Sequence, residues 1–546
     1  MQTDNDLPTQ MEMNRLAVSD LSSQQMDVST TTLISHWDDS ESDLSTQQTD
    51  VATSALMNPL LLNLIFSYMD APTLKKSVRP VCTLWADLGA PFLGGKTTQT
   101  YSEQLGCGMY TPEITGVASF HSKLVRNVKL VASTCPCEWS ERLPENFVAV
   151  LPNIARHLEE IEVKIGSSFL HGLHKMWESH RFTNLARISI TVLSSYDENG
   201  RWILAGSSYP TMGNVTMISV IMGDQYNPNT DGMAASICQK LLNAAPNLVE
   251  VEVKANFYLD FAPCKKLTRL TYKFVQFVDF ATHEPTEVMD LGKIAEMLTP
   301  CRDSLAELSL YYVGPDGGHD DDVPQTLSLP SFPNLTRLTI SCMDGYFRHL
   351  GDCLYTTHLP ALTHVKLAAS DKESLTLTLP EMFEHFRQPH VGIVSLDVDA
   401  AYDGEAENVA AAAVMVRLFP AVTKLQLKLT ISEDLNSVAL RRLKETLRNL
   451  APWELTSALV EVQNVKSSGV VLATMQGLAR WKGLAHTEVR LCGKVGAVLV
   501  PGDAVKAILL TCREVKLVKM SGFLIKGRDK FQGFIDANRL PITLSE

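Results

Sequence analysis

The chain has 546 residues, 45% of them hydrophobic and 20% charged, and a formal net charge of −13. That length allows about two to four ordinary domains or one long repeat array, and the composition suits a globular chain with a large core. The negative balance argues against nucleic-acid binding through overall charge, because phosphate contacts need clustered Lys and Arg.

Residues 1–55 carry about ten acids against the single base Arg15, among many Ser, Thr and Gln. Such a segment cannot offset the entropy of ordering, and a disordered acidic tail is expected. It contains a duplication, SDLSSQQMDVSTT from Ser19 and SDLSTQQTDVATS from Ser42, which reads as a two-copy docking or phosphorylation motif or as replication slippage. The opening MQTDNDLPTQMEMNRL lacks the basic start and apolar centre of a secretory signal. The eleven cysteines, an odd number, are too sparse for a disulfide framework. Both features lead to the expectation of a cytoplasmic or nuclear protein, where the sequons at Asn214 and Asn334 carry no sugar. No apolar run reaches the roughly 18 residues of a membrane span, so no membrane contact is expected.

Residues 56–95 are densely apolar. Asn58 can cap a helix whose first turn takes Pro59, with Leu61, Leu62, Ile65, Phe66 and Met69 recurring at helical spacing. Asp70, Ala71 and Pro72 end it, and Leu74, Val78, Val81, Cys82, Trp85 and Leu88 follow on one or two further short helices. So short a block cannot make a self-sufficient core, and its surplus apolar surface is expected to be an interface. The run NPLLLNLIFSYMD, then Leu74, then VRPVCTLWADLGAPFL resembles an F-box. The family usually begins Leu-Pro with an acid two places later; here Asn58 precedes the proline and Leu60 stands where that acid would be.

The resemblance implies a three-helix motif that binds a Skp-type adaptor and, through it, a cullin scaffold. Pro59, Leu61, Leu62, Ile65 and Phe66 would face the adaptor, and Val81, Cys82, Trp85 and Leu88 would hold the helices together. In that family a C-terminal array, often of leucine-rich repeats, binds the substrate.

Residues 96–120 read as a linker or cap. From 121 to 546 one pattern recurs: apolar, two variable, apolar, one variable, apolar. It appears as LEEIEV at Leu158, LARISI at Leu185, LVEVEV at Leu248, LTRLTY at Leu267, LAELSL at Leu305, LTRLTI at Leu335, LTHVKL at Leu362, IVSLDV at Ile393 and VTKLQL at Val422. Weaker copies begin near Val125, Val215, Leu459, His486 and Cys512. Between copies the apolar period lengthens toward 3.6, as in MAASICQKLLNAA from Met233 and VALRRLKETLRNL from Val438. Each repeat is therefore one short strand plus one helix. Stacked, the repeats bury their Leu, Ile and Val together, which predicts an α/β, irregular leucine-rich-repeat solenoid with a parallel inner sheet of about 14 strands.

Strand alternation sends the second and third apolar positions inward and their flanking residues to an open polar face. Lys273, Tyr311, Lys366 and Lys428 are the candidate contacts for a protein substrate there; the alternative is that acids and bases on adjacent strands, such as Glu250 beside Arg269, simply neutralise one another.

Sites for chemistry fail on spacing. GGKTT at Gly94 would need a glycine where Ala90 stands to make a phosphate loop. CPC at Cys135 and Cys137 lacks a second ligand pair for zinc. The loop PDGGHDDDV from Pro315 lacks the calcium-loop order and closing Glu. No nucleophile, base and orienting acid can be assigned. The expectation is a non-enzyme without cofactor or metal: a substrate receptor of a cullin-type ubiquitin ligase or, alternatively, a protein-binding scaffold that delivers no ubiquitin.

Overall fold

The computed structural model describes residues 57–105, 124–134, 143–166, 169–193, 208–223, 231–276, 289–313, 329–342, 353–369, 377–432, 434–494 and 496–545. The expected acidic tail with its duplication, the CPC pair and the Pro315 loop lie outside them. Compact grouping divides the chain between Leu64 and Ile65.

That division falls inside helix α1, Pro59–Tyr68. Asn58 starts it: its side-chain oxygen accepts the Leu60 amide at 2.9 Å and its carbonyl accepts the Leu62 amide. Two short segments follow. Helix α2, Ala71–Thr73, is capped by the Asp70 carboxylate on the Thr73 amide at 2.8 Å and runs on as a π-turn through Leu74–Val78. The hydrogen bonds from Thr73, assisted by the nearby Lys96 ammonium, hold the Asp70 carboxyl below its usual range. Helix α3, Thr83–Lys96, completes the block. Phe66 is fully buried, with Trp85 and Phe92 edge-on at ring distances of 5.6 and 6.5 Å.

Only Thr97 separates α3 from the first strand of a large sheet. Lys96 reaches back to donate to the carbonyls of Ser67, at 2.7 Å, and Met69. Gly94 and Gly95, once weighed as a phosphate loop, have a packing role: a Cβ at Gly94 would collide with the Leu124 carbonyl, and Asn127 donates to the Gly95 carbonyl at 2.8 Å.

The sheet strands are β1 (Thr98–Leu105), β2 (Asn127–Thr134), β3 (Glu160–Ile165), β4 (Arg187–Val192), β5 (Met217–Met222), β6 (Glu250–Ala255), β7 (Arg269–Val275), β8 (Glu307–Val313) and β9 (Arg337–Cys342). They continue with β10 (His364–Ala369), β11 (Ser395–Tyr402), β12 (Lys424–Ile431), β13 (Ser457–Val465), β14 (Thr487–Gly493), β16 (Leu517–Ser521) and β18 (Ile542–Leu544). These 16 strands lie in chain order, and every neighbouring pair is parallel. Strands β15 (Val498–Leu499) and β17 (Leu524–Ile525) form a separate two-stranded sheet. Within 96–120, read as linker or cap, Thr98–Leu105 is thus a sheet strand, and the sheet exceeds the 14 strands expected.

Parallel neighbours require a crossover after each strand. Helices supply many: α4 (Glu145–Ile154), α5 (Leu170–Ser179), α6 (Asp231–Ala244), α7 (Leu291–Leu298), α8 (Leu379–Phe383), α9 (Glu407–Leu418), α10 (Ser437–Arg448), α11 (Ser468–Leu478), α12 (Asp503–Thr511) and α13 (Arg528–Ala537). In α10, Asn436 caps the Val438 and Ala439 amides at 2.9 and 3.0 Å, and Ala439, Leu443 and Leu447 recur every four residues on the buried side. The passage from β6 to β7 has no helix. Phe257, Leu259, Phe261 and Cys264 are buried there instead, Tyr258 stacks on Phe274 at 5.7 Å, and the Tyr272 hydroxyl donates to the Phe257 carbonyl. Aromatic rings fill the layer that a helix fills elsewhere, which explains the short interval from Leu248 to Leu267.

The recurring apolar pattern maps onto this architecture position by position. Its first residue, as Leu158, Leu185, Leu248 or Leu335, is fully buried in the turn before a strand; its second and third, as Val251 and Val253, point from the strand into the same core. The turns are laced by side chains. Asn184, Asn214, Asn247 and Asn334 each donate to a carbonyl of the preceding repeat at 2.6–2.8 Å, and Thr216 and Thr336 donate their hydroxyls likewise. The two sequons are therefore ladder positions.

Cys82, Cys238, Cys264, Cys301 and Cys492 form no disulfide. Burial pushes the thiols of Cys238 and Cys264 up to about 12 and that of Cys301 to about 11. His390 is fully buried with Nε2 2.9 Å from the Leu359 carbonyl, while Nδ1 accepts the Gly392 amide at 3.3 Å. The second bond requires an unprotonated Nδ1, so the folded ring is neutral, and burial lowers its pKa below 6.5.

Two outcomes follow from these contacts. Protonation of His390 is easier in the unfolded chain, so its contribution to stability is complete above about pH 6.5 and fades as pH falls through the depressed folded value. The melting temperature should drop between pH 7 and 5, and His390→Gln should flatten that slope while lowering the plateau. Gly94→Ala should destabilise the junction of α3 with β2 by about 1–3 kcal/mol, read by chemical denaturation, because the clash is with backbone.

Candidate binding surfaces

Helix α1 is apolar on two sides. Leu62 and Phe66, with 1% and 0% of their surface exposed, form one; Leu60, Leu61, Leu64, Ile65 and Tyr68 form the other, from 43% exposed at Ile65 to 84% at Tyr68. A helix that buries one side in its own chain and shows a second apolar side to water has surface left for a partner. Of the adaptor-facing residues expected from sequence, Pro59, Leu61 and Ile65 are exposed, whereas Leu62 and Phe66 are core. Leu60, Leu64 and Tyr68 were missed, although their spacing of four already places them on one stripe. Of the expected helix-holding residues, Cys82, Trp85 and Leu88 are half-buried, but Val81 is 55% exposed and belongs to the surface. Val81 sits in the turn after Val78, where its amide donates to the Val78 carbonyl and its side chain faces out.

The sheet has one face in the core and one open face, as the alternating burial of β3, β6 and β12 shows. Strand register arranges the open side chains in rows that cross the strands. One row passes through Glu160, Arg187, Met217, Glu250, Arg269, Glu307, Arg337 and His364. The next passes through Lys129, Glu162, Ser189, Ser219, Glu252, Thr271, Ser309, Thr339, Lys366 and Asp397. A third passes through Lys164, Thr191, Ile221, Lys254, Lys273, Tyr311, Ser341, Ala368, Asp399 and Lys428.

Much of this face is self-neutralised. Arg187 meets Glu160 at 2.6 Å, and Arg269 is ion-paired with Glu250. Glu162 receives both Lys129 at 2.9 Å and Lys164 at 3.2 Å; burial raises its carboxyl, but the two lysines outweigh that and leave it below the usual range. Beyond β13, Glu488 lies 2.9 Å from Arg490 and 3.0 Å from Lys519. Two of the four candidate substrate contacts are in this category. Lys366 pairs with Asp397 at 3.3 Å, where burial nonetheless raises the Asp397 carboxyl, and Lys428 pairs with Asp399 at 2.7 Å.

The other two candidates are brought together. Lys273 and Tyr311 are register partners on β7 and β8, half-exposed, with the hydroxyl residues Thr271, Ser309 and Thr339 in the adjoining row. Among the described residues no acid forms an ion pair with Lys273. The surface offers hydrogen-bond donors, positive charge and an aromatic ring, and no cluster of metal-ligating residues occurs among the described residues.

No family model matches the sequence, and no curated protein matches it. Among solved structures, a leucine-rich-repeat protein from Leptospira interrogans aligns over 87% of this chain and 98% of its own, at 10% identity and a TM-score of 0.25. That likeness is too loose to carry an argument. The repeat architecture rests on the strand order and on the buried leucine positions themselves.

The pairing makes the lysines unequal in a measurable way. Lys428→Ala should cost about 0–1 kcal/mol in chemical denaturation, as a partly exposed ion pair does. Tyr311→Ala and Lys273→Ala should each change stability by no more than about 0.5 kcal/mol, since neither holds a core position.

Proposed function

We propose that this chain is a non-enzymatic receptor in which α1 docks on a Skp-type adaptor of a cullin ubiquitin ligase and the open sheet face holds a protein substrate. The observation that carries the reading is the second apolar side of α1, with Leu60, Leu61, Leu64 and Ile65 in water. Water-exposed leucines at this density are costly unless a partner covers them. The partner is taken from the resemblance of residues 56–95 to an F-box, and the helical content of 59–96 supports that reading. The array then contributes proximity: holding a target beside an activated ubiquitin raises effective concentration without any chemistry in this chain. The undisulfided thiols of Cys82, Cys238, Cys264, Cys301 and Cys492 support a reducing compartment, the cytosol or nucleus.

A second reading keeps the array as a protein-binding scaffold and drops ubiquitin delivery. Leu60 in the place of the motif's acid favours it.

A pull-down with purified adaptor separates the two. The informative variant is Leu61→Asp with Ile65→Asp, because both side chains are exposed; an aspartate at Phe66 would destroy the helical core and report folding instead. The double variant should keep its melting temperature and lose adaptor binding by about a hundredfold or more, as removal of interface anchors does. Full binding by the folded variant would sink the adaptor assignment. A wild-type chain that ignores the adaptor leaves the scaffold.

A further inference from the structure

Repeats near the end of the array close tightly on one another through their helices. A Cβ at Gly477 of α11 would stand 2.7 Å from the Leu447 Cβ of α10 and 2.9 Å from the Lys444 carbonyl. Helices α5 and α6 touch only lightly, and a polar cluster links them. His174 of α5 and Tyr209, in the chain leading to β5, are 6% and 5% exposed, and the Tyr209 hydroxyl lies 2.9 Å from His174 Nδ1. The other side of the link is the Tyr209 ring, whose centroid is 5.9 Å from Nζ of Lys240 on α6. Tyr209 thus ties one helix to the next. The Lys240 ammonium is buried there without a hydrogen-bond acceptor. That arrangement costs stability, because a buried cation is ordinarily paired.

The neighbours of His174 decide where its proton sits. Nε2 faces the Glu178 carboxylate at 3.9 Å, which favours a hydrogen on that nitrogen and leaves Nδ1 to accept from the Tyr209 hydroxyl. Protonating the ring puts a hydrogen on Nδ1 as well. The hydroxyl then loses its acceptor, and a second buried cation stands beside Lys240. The charged and titratable groups around the ring are His171, Lys175 and Glu178 on α5 and Lys240 on α6. The phenol of Tyr209 and the thiol of Cys238 are kept neutral by burial. Glu178 is the one acid among them and favours the imidazolium, but its side chain is 41% exposed. Burial and, after it, Lys240 outweigh that pull and hold the His174 ring below its usual 6.5.

We propose that this cluster makes the joint between α5 and α6 a proton-sensitive switch, closed while His174 is neutral and opening as the ring takes up a proton. The opened ring binds a proton more readily than the closed one. The joint is therefore at full strength above about pH 6.5 and weakens as pH falls through the depressed value of the closed state. The switch goes beyond the proposed function and rests neither on the adaptor contact nor on a substrate.

Hydrogen exchange of the full chain, corrected for the intrinsic effect of pH, reads the joint directly. From pH 7 to 5.5, protection of Leu170–Ser179 and Asp231–Ala244 should fall several-fold, up to about tenfold, while Ser437–Arg448 and Ser468–Leu478 change much less. His174→Gln keeps an acceptor for Tyr209 and cannot become charged, so α5 and α6 should be equally protected at both pH values. Lys240→Met keeps the bulk and removes the unpartnered charge. It should raise protection at pH 7 and shrink the loss at pH 5.5, the opposite of what deleting a structural contact does. Equal wild-type protection at both pH values would overturn the proposal, as would an undiminished acid effect in His174→Gln or a loss spread evenly over all helices. If His174→Gln folds poorly, Lys240→Met decides alone, and lower protection at pH 7 or a wild-type acid effect in it overturns the switch.

Discussion

One backbone contact carries the array from repeat to repeat. In the turns before β2 to β12 a single carbonyl accepts two consecutive amides of the following repeat. Arg126 accepts Glu159 and Glu160, Glu159 accepts Ala186 and Arg187, and Ala186 accepts Thr216 and Met217. The relay continues through Thr216, Val249, Thr268, Ala306, Thr336, Thr363, Val394 and Thr423. Because one carbonyl holds two successive amides of the next turn, this clamp fixes where each of these strands begins relative to its neighbour. Register follows, and from register come the continuous rows of the open face and the stacked leucines beneath it. The length of chain between clamps is free to vary, as the helixless passage from β6 to β7 and the helical one from β12 to β13 illustrate.

The leucine pattern was legible in the sequence because the physics that writes it is local: alternation within a strand, one apolar residue in the turn before it, and helical spacing after it. Strands β3, β4, β6–β12 and the helices of Met233 and Val438 could be read that way. Strand β1 could not, since TQTYSEQL is polar and is a strand only because β2 offers it a partner, and β18 is three residues long. The side of α1 that faces the core was equally hidden. Leu60, Leu61, Leu62, Leu64, Ile65 and Phe66 are all apolar, so the pattern cannot say that Phe66 is the one that meets Trp85 and Phe92.

The open face shows the same limit. The columns Ser395, Asp397, Asp399 and Lys424, Gln426, Lys428 are visible in the sequence, but whether an acid neutralises a lysine depends on which strands are adjacent. Once β10, β11 and β12 are aligned, Asp397 and Asp399 take Lys366 and Lys428 out of the available charge and leave Lys273. Candidate contacts chosen by residue type are thereby sorted by register. The surviving pair, Lys273 and Tyr311, lies on β7 and β8, away from the acids of β11.

The buried thiols give the array a chemical record of its own motion. Cys238 lies on α6, Cys264 in the helixless passage and Cys301 after α7, so the three occupy successive repeats. Each is held as a poorly nucleophilic thiol by its surroundings and becomes an ordinary reactive one when its repeat opens. Alkylation at each position is therefore a clock for the opening of that repeat. Since the repeats are joined only to their nearest neighbours, the order in which the three clocks run tells whether the middle of the array opens as one piece or frays stepwise.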